Sequence, residues 1–233
     1  MSIISKYQIG YRMKLNIFCL SLLIASQSCF AQKTKKTTER FDVQYYKNII
    51  KEKNSYESST STQYVERNGT EVYVSFNEDG YVLQEIKPFT CEVIVKNYYK
   101  NCFLKSVGKL LCHSSVKIGI WREYDNQGNL ITETDEDKKF EKLRLKPINI
   151  LRWLEHEGYI DRKTGKGQEK FVKKGDESTI SISFGKISKP NAKFEKDSVL
   201  WTITITNRGG GLTYTWNAKN GELLSKETLR AIE

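Results

Sequence analysis

The sequence predicts an α+β protein: an antiparallel β-hairpin meander in the N-terminal region, followed by a helix on an antiparallel sheet. Three observations predict it. Short runs of alternating apolar and polar residues recur through the first half, separated by Asn, Asp and Gly. One amphipathic stretch near the middle is opened by proline and ended by glycine. Alternating runs then return to the C-terminus, the pattern of a second antiparallel sheet. A 38% hydrophobic content with 12% aromatics is enough for a packed core, so wholesale disorder is excluded. A mean hydropathy of −0.56 excludes a polytopic membrane protein.

The first 31 residues read as a secretory signal. Lys6, Arg12 and Lys14 give a basic start without an acid, residues 15–25 are apolar apart from Asn16 and Ser21, and small residues lead to Ala31. Eleven residues at ~1.5 Å each fall short of a ~30 Å hydrocarbon core, so the run does not predict a permanent span. Cleavage between Ala31 and Gln32 puts Cys29 and Ala31 at the two small-residue positions; Met1 and Met13 both serve as starts. The competing reading makes Cys29 a lipidated first residue, and Ser26-Gln27-Ser28 matches that poorly. The expectation is a periplasmic or extracellular protein, with a lipid anchor on Cys29 the less favoured form. Removal of this segment takes the net charge from +10 to +7.

Residues 32–62 form a polar lead-in and loop, within which residues 41–53 suit a short helix or a strand. Residues 63–137 form a β-rich region. Strands are expected at 71–76, 81–86, 91–95, 102–104, 110–113, 118–124 and 129–134, with turns at 77–80 and 125–128. The charged stretch 135–139 reads as a junction, and residues 145–233 as the α+β unit. In that unit Pro147 and Gly158 bracket a helix over 148–157. Ile150, Leu151 and Leu154 share one face, which Ile148 or Trp153 widens. Strands at 179–184, 200–206 and 212–216 place Ile180, Ile182, Trp201 and Ile203 inward.

The β-rich region and unit together hold Cys91, Cys102 and Cys112. Outside the cytoplasm, three cysteines predict one disulfide and one spare thiol. A fold-back at residues 106–109 would bring Cys102 to Cys112; the pairings Cys91–Cys102 and Cys91–Cys112 stay open.

A turn unit occurs twice. Phe76-Asn77-Glu78-Asp79-Gly80 and Tyr124-Asp125-Asn126-Gln127-Gly128 share an aromatic, an Asn or Asp, two polar residues and a Gly, followed by aliphatics and a Glu. Asn or Asp bonds its own turn backbone and Gly takes positive φ. A looser copy runs from Trp216 and Asn217 to Gly221, with one extra turn residue. The stretch Gly119-Ile120-Trp121-Arg122-Glu123-Tyr124-Asp125, with Gly128 and Leu130, resembles the variant MORN repeat of exported and antitoxin-like bacterial proteins, over residues 116–134. The C-terminal helix, with Trp201–Ile205, Tyr214–Trp216 and Gly221–Leu223, looks like a PepSY-type domain. Those are small exported modules, some linked to restraining secreted hydrolases. Both resemblances imply binding or scaffolding.

No catalytic, cofactor or metal set is predicted. Cys112 and His113 are neighbours on a strand and point to opposite faces, so His113 is badly placed to activate the thiol. Two His and no Cys-x-x-Cys argue against zinc. The acids Glu133, Asp135, Glu136 and Asp137 lack calcium-loop spacing, and Gly209-Gly210-Gly211 lacks the Lys of a phosphate loop. Positive charge is spread through the chain without a focused patch, so nucleic acid is not an expected partner. The expected function is that of an exported, non-enzymatic binding module for a protein or an envelope polymer. Two alternatives stand beside it: an inhibitor or immunity-type protein, and a thiol-dependent envelope enzyme using Cys91, Cys102 or Cys112.

Overall fold

In the computed structural model, the described residues are 35–53, 60–168, 179–187 and 197–230. The signal segment, with Ala31 and Gln32, lies outside them. Strands β1 (Ser61–Val65), β2 (Glu71–Asn77), β3 (Gly80–Ile86), β4 (Glu92–Tyr99), β5 (Leu104–Leu111), β6 (Lys117–Tyr124) and β7 (Leu130–Asp135) form one seven-stranded sheet in chain order. Every pairing in it is antiparallel. Strands β8 (Thr179–Lys186), β9 (Val199–Asn207), β10 (Gly210–Asn217) and β11 (Leu223–Arg230) form a second, four-stranded antiparallel meander. Short connections between alternating runs leave little else available, because a tight turn can join only antiparallel neighbours.

Residues 41–53 resolve as a helix, α1 (Val43–Lys53). Asp42 starts it: its Oδ1 accepts the Tyr45 N–H at 2.9 Å, a side-chain cap on the first turn. Phe41 and Ile50 are buried with Val72, Val74, Leu83, Tyr98, Leu104 and Tyr124, so this segment covers one face of the large sheet. Period-two alternation puts Ile86, Val93, Val95 and Trp121 on the other. Trp121 fits there because Gly108 on the adjacent strand has no Cβ; a methyl at that position would occupy the indole. The ring also donates from Nε1 to the Lys109 carbonyl at 3.0 Å and lies under the Lys117 ammonium at 4.2 Å.

Two strand assignments change. The separate strands expected at 102–104 and 110–113 are replaced by one strand, β5, running from Leu104 to Leu111 with no fold-back at 106–109. That run pairs continuously with β4, from Glu92↔Leu111 to Tyr98↔Leu104, and the turn falls earlier, at residues 100–103. The charged stretch 135–139 is no bare linker. Asp135 caps a 3-10 turn, Glu136–Phe140, by accepting the Asp137 N–H, and Phe140 is buried.

The second helix, α2 (Pro147–His156), falls where Pro147 and Gly158 predict it, and Ile150, Leu151 and Leu154 are its buried residues. Trp153 widens the face and Ile148 stays 39% exposed. The β-rich, antiparallel part of the expected class holds: the described residues form a predominantly antiparallel β protein with two helices and one 3-10 turn. The core around α2 takes Ile180, Ile182, Trp201 and Ile203 from the small sheet, and also Leu111, Cys112 and Val116 from the large one. A parallel bridge, Ser114↔Ile182, joins the two sheets, with the Ile182 N–H on the His113 carbonyl at 2.8 Å. Among the described residues, β11 ends the small sheet and is exposed along nearly its whole length.

Candidate functional site

The cysteines settle first. Cys91 and Cys112 form a disulfide with Cα atoms 4.9 Å apart, and Cys102 is free. Of the three possible pairings, Cys102–Cys112 fails because the two residues sit at opposite ends of β5. Cys91 and Cys112 instead flank the last pair of the β4–β5 ladder, with the Cys112 N–H on the Cys91 carbonyl at 3.0 Å. Both are completely buried. Cys102 occupies the β4–β5 turn.

The repeat-turn residues lie at the ends of hairpins. Asp125 behaves as its residue type predicts: Oδ1 accepts the backbone N–H groups of Gln127 and Asn129, and Oδ2 accepts the Asn129 side-chain amide at 2.8 Å. Those bonds, the side-chain amide first, hold the Asp125 carboxyl below its ordinary range. Gly128 follows at φ +86°, packed against the Thr37 carbonyl, where a side chain has no room. Asn217 accepts the Lys219 N–H in the same way at 2.9 Å. Asn77 differs: its Oδ1 takes the Ser75 hydroxyl, and Gly80 opens β3 under the Tyr98 carbonyl.

Phe76 and Tyr124 reach the same core beneath α1, whereas Trp216 stacks with Tyr214 and meets Trp153 edge-on in the other. The turns carrying Gly80 and Gly128 lie at one end of the meander, with the Tyr99–Phe103 turn between them. There Tyr99 Oη donates to the Tyr124 carbonyl and Asn101 Nδ2 to the Asn126 carbonyl, both at 2.9 Å. Sequence reasoning saw two copies; the intervening hairpin fills the gap, with Tyr99 standing 23 residues after Phe76 and 25 before Tyr124. The Glu66–Thr70 turn adds a further one: its end-to-end bonds match those of Asp125–Asn129, and it keeps Gly69 at the same place. Its Glu and Val replace the Asp and aromatic of the pattern, so the motif did not reveal it.

This end of the sheet is a packed aromatic cluster. Phe41 stacks on Tyr81 at 4.5 Å and on Tyr46 at 4.8 Å between ring centroids. Tyr98 donates its hydroxyl to Glu39 at 2.8 Å, and the same carboxylate pairs with Lys96. Burial, with Glu85 next, pushes the Tyr46 phenol up to about 12. Burial also raises Tyr64 and Tyr98, the latter further through its bond to Glu39.

The opposite end of the large sheet holds a cleft of about 500 Å³. Its floor includes Cys91, Leu111, Phe140 and Leu151, all buried. One wall carries Glu92 and Lys109, paired across β4 and β5 at 2.7 Å. At Gly119 the backbone N–H donates to Asp137 at 2.9 Å. The facing wall is the approach to α2: Glu141, then Lys146 at the helix N-cap, with Ile148 at the rim. Arg162 closes it. That guanidinium donates from Nη2 to Glu155 at 2.6 Å, which holds the Glu155 carboxyl below its ordinary range. Arg162 Nε is buried and, among the described residues, has no hydrogen-bond partner.

The size lies within the ~300–1,000 Å³ of small-molecule sites, and the lining mixes an apolar floor with convergent polar groups. Of the cleft residues, Cys91, Gly119, Asp137, Pro147, Ile148 and Leu151 were named from sequence, but none of them as part of a shared pocket. The wall combines four segments far apart in the chain, and only the fold brings them together. Among the described residues no group of three or more His, Cys, Asp or Glu is placed to hold a metal. Nor is any helix among them long and apolar enough to cross a membrane. No family model, curated protein or solved structure matches this chain.

Proposed function

We propose that this chain is an exported, non-enzymatic binding module. Its β-rich part is MORN-like in its repeated hairpin turns, and α2 with β8–β11 forms a PepSY-like, helix-on-sheet part. The observation that carries the binding reading is the cleft: a buried apolar floor, fixed by the Cys91–Cys112 cross-link, beneath walls of both charge signs. A disulfide supports export, because such bonds persist in oxidising compartments. It also weighs against the thiol-enzyme alternative, since Cys91 and Cys112 bond each other and so carry no thiol.

Retention of envelope fractions on the protein purified from its native host tests this reading. One component retained saturably, and recovered chemically unchanged, is the expected result. Turnover of any retained component, lost on a single cleft substitution, overturns it. Intact mass checks export separately. A chain starting at Gln32, two hydrogens lighter before reduction than after, is expected; one that keeps residues 1–31 refutes export.

A further inference from the structure

We infer that Asn68, at the tip of the β1–β2 hairpin, carries an N-linked oligosaccharide taken from a lipid-diphosphate donor. The inference rests on the export reading and goes beyond the binding one. Asn68-Gly69-Thr70 is the acceptor pattern for that transfer: an asparagine, any residue but proline, then a hydroxyl. Of the chain's 14 asparagines no other is followed two places on by Ser or Thr, so the whole pattern falls on this one turn. Residues 65–69 are all exposed there. Among the described residues the Asn68 amide bonds only within the turn. Its Oδ1 accepts the Thr70 N–H at 2.8 Å and its Nδ2 donates to Glu66 at 3.3 Å. The nitrogen that takes the sugar is therefore tied to no part of the core.

A second, independent observation points to what covers the turn. Val65, at its base, is 64% exposed, and Phe89 is 54% exposed. Phe89 follows Pro88, whose Cγ lies 3.5 Å from the point a Gly69 Cβ would occupy, so its loop abuts the acceptor turn. The ring rests one edge on Gly165, and its backbone is held at φ +69°, an outlier for a bulky side chain. Apolar groups left in water this way are stabilised by any apolar cover. The C–H face of a pyranose laid back from Asn68 supplies one, while its hydroxyls stay solvated. The transfer forms a bond from Nδ2 to the anomeric carbon and breaks that carbon's bond to the diphosphate oxygen. The lipid diphosphate leaves with the electron pair, the amide gives up one proton to solvent, and nothing is oxidised or reduced. Thr70 is only 7% exposed in the fold, so the acceptor hydroxyl is reached before the hairpin closes, on the chain as it is exported.

The test is a peptide map of the reduced protein from its native host. Trypsin cuts after Arg67 and after Lys96, because Pro88 shields Lys87, and fragmentation of peptide 68–96 locates added mass by residue. An oligosaccharide on Asn68 in most molecules is the expected result. It should vanish in Asn68→Gln and Thr70→Val and persist in Thr70→Ser. Unmodified Asn68 overturns the inference, and so does sugar on a hydroxyl of this peptide in place of the amide. If a variant is not recovered, the map of the unsubstituted chain decides alone. The seat of the sugar is read by NMR: relative to Asn68→Gln, the amides of Val65 and Phe89 should shift while that of Tyr98 does not, and shifts limited to residues 67–69 overturn that seat. The N-terminal peptide of the same map separates the two readings. Unmodified Asn68 on a chain starting at Gln32 refutes the glycan and leaves export standing; unmodified Asn68 on a chain that keeps residues 1–31 refutes both.

Discussion

Gly108 and Trp121 show how much one missing methyl group holds. The indole lies over the glycine, so Gly108→Ala must push the ring off the sheet and away from the Lys109 carbonyl. Overpacking of this kind costs ~1–3 kcal/mol, and chemical denaturation with Trp fluorescence should report both the loss and the moved ring. Tyrosines give a second residue-level expectation. The Tyr46 phenol rises from 10.0 to about 12 in the fold, and Tyr64 and Tyr98 rise with it. A raised acid pKa favours the neutral form, so the stabilisation is complete below pH 10 and is lost as pH climbs towards 12. Absorbance of tyrosinate should therefore lag for these rings in the native protein and coincide with unfolding above pH 10. At this scale the sequence was readable where a residue acts on its own backbone, as Asp125 and Gly128 do. Pairs such as Gly108–Trp121 were hidden, because their contact depends on register across two strands.

Elements with strong local punctuation were legible. Pro147 and Gly158 fixed α2, and its Ile150, Leu151 and Leu154 are buried as the 3.6-residue spacing requires. Leu154 has no exposed surface, so Leu154→Ala should cost ~2–5 kcal/mol, read as a lower urea midpoint at unchanged slope. The helix over residues 43–53 was ambiguous because Tyr45 and Tyr46 are adjacent, a pattern that serves a strand as well. Tertiary stacking on Phe41 decides it. Strand β5 misled in the other direction. Ser106 and Gly108 look like turn residues; in the sheet Ser106 accepts the Asn97 amide, and Gly108 is the seat of Trp121. β11 was the least visible strand, since alternation cannot show where no face is buried.

Across the molecule, the cross-link lies at the opposite end of the large sheet from the turns carrying Gly80 and Gly128. The Cys91–Cys112 bridge spans 21 residues and ties β4 to β5 where the cleft begins. Replacing both cysteines with Ser should lower unfolding free energy by ~3 kcal/mol, by the chain-entropy relation for a loop of that size; urea melts of the two proteins check it. The loss should also slacken the cleft floor, visible as faster amide exchange at Leu111 and Cys112 than at Tyr98. The cysteine count foretold one bridge and one thiol but not the pairing, because only the continuity of β5 decides between the candidates. That continuity has a further consequence. The free Cys102 and bridged Cys112 are held at the two ends of one eight-residue strand, about 26 Å apart at ~3.3 Å per residue. Thiolate attack needs contact with a sulfur, so Cys102 cannot attack the bridge while the sheet is intact. Against Cys102 the connectivity, once formed, is locked by distance, and exchange with that thiol has to wait for the meander to unravel.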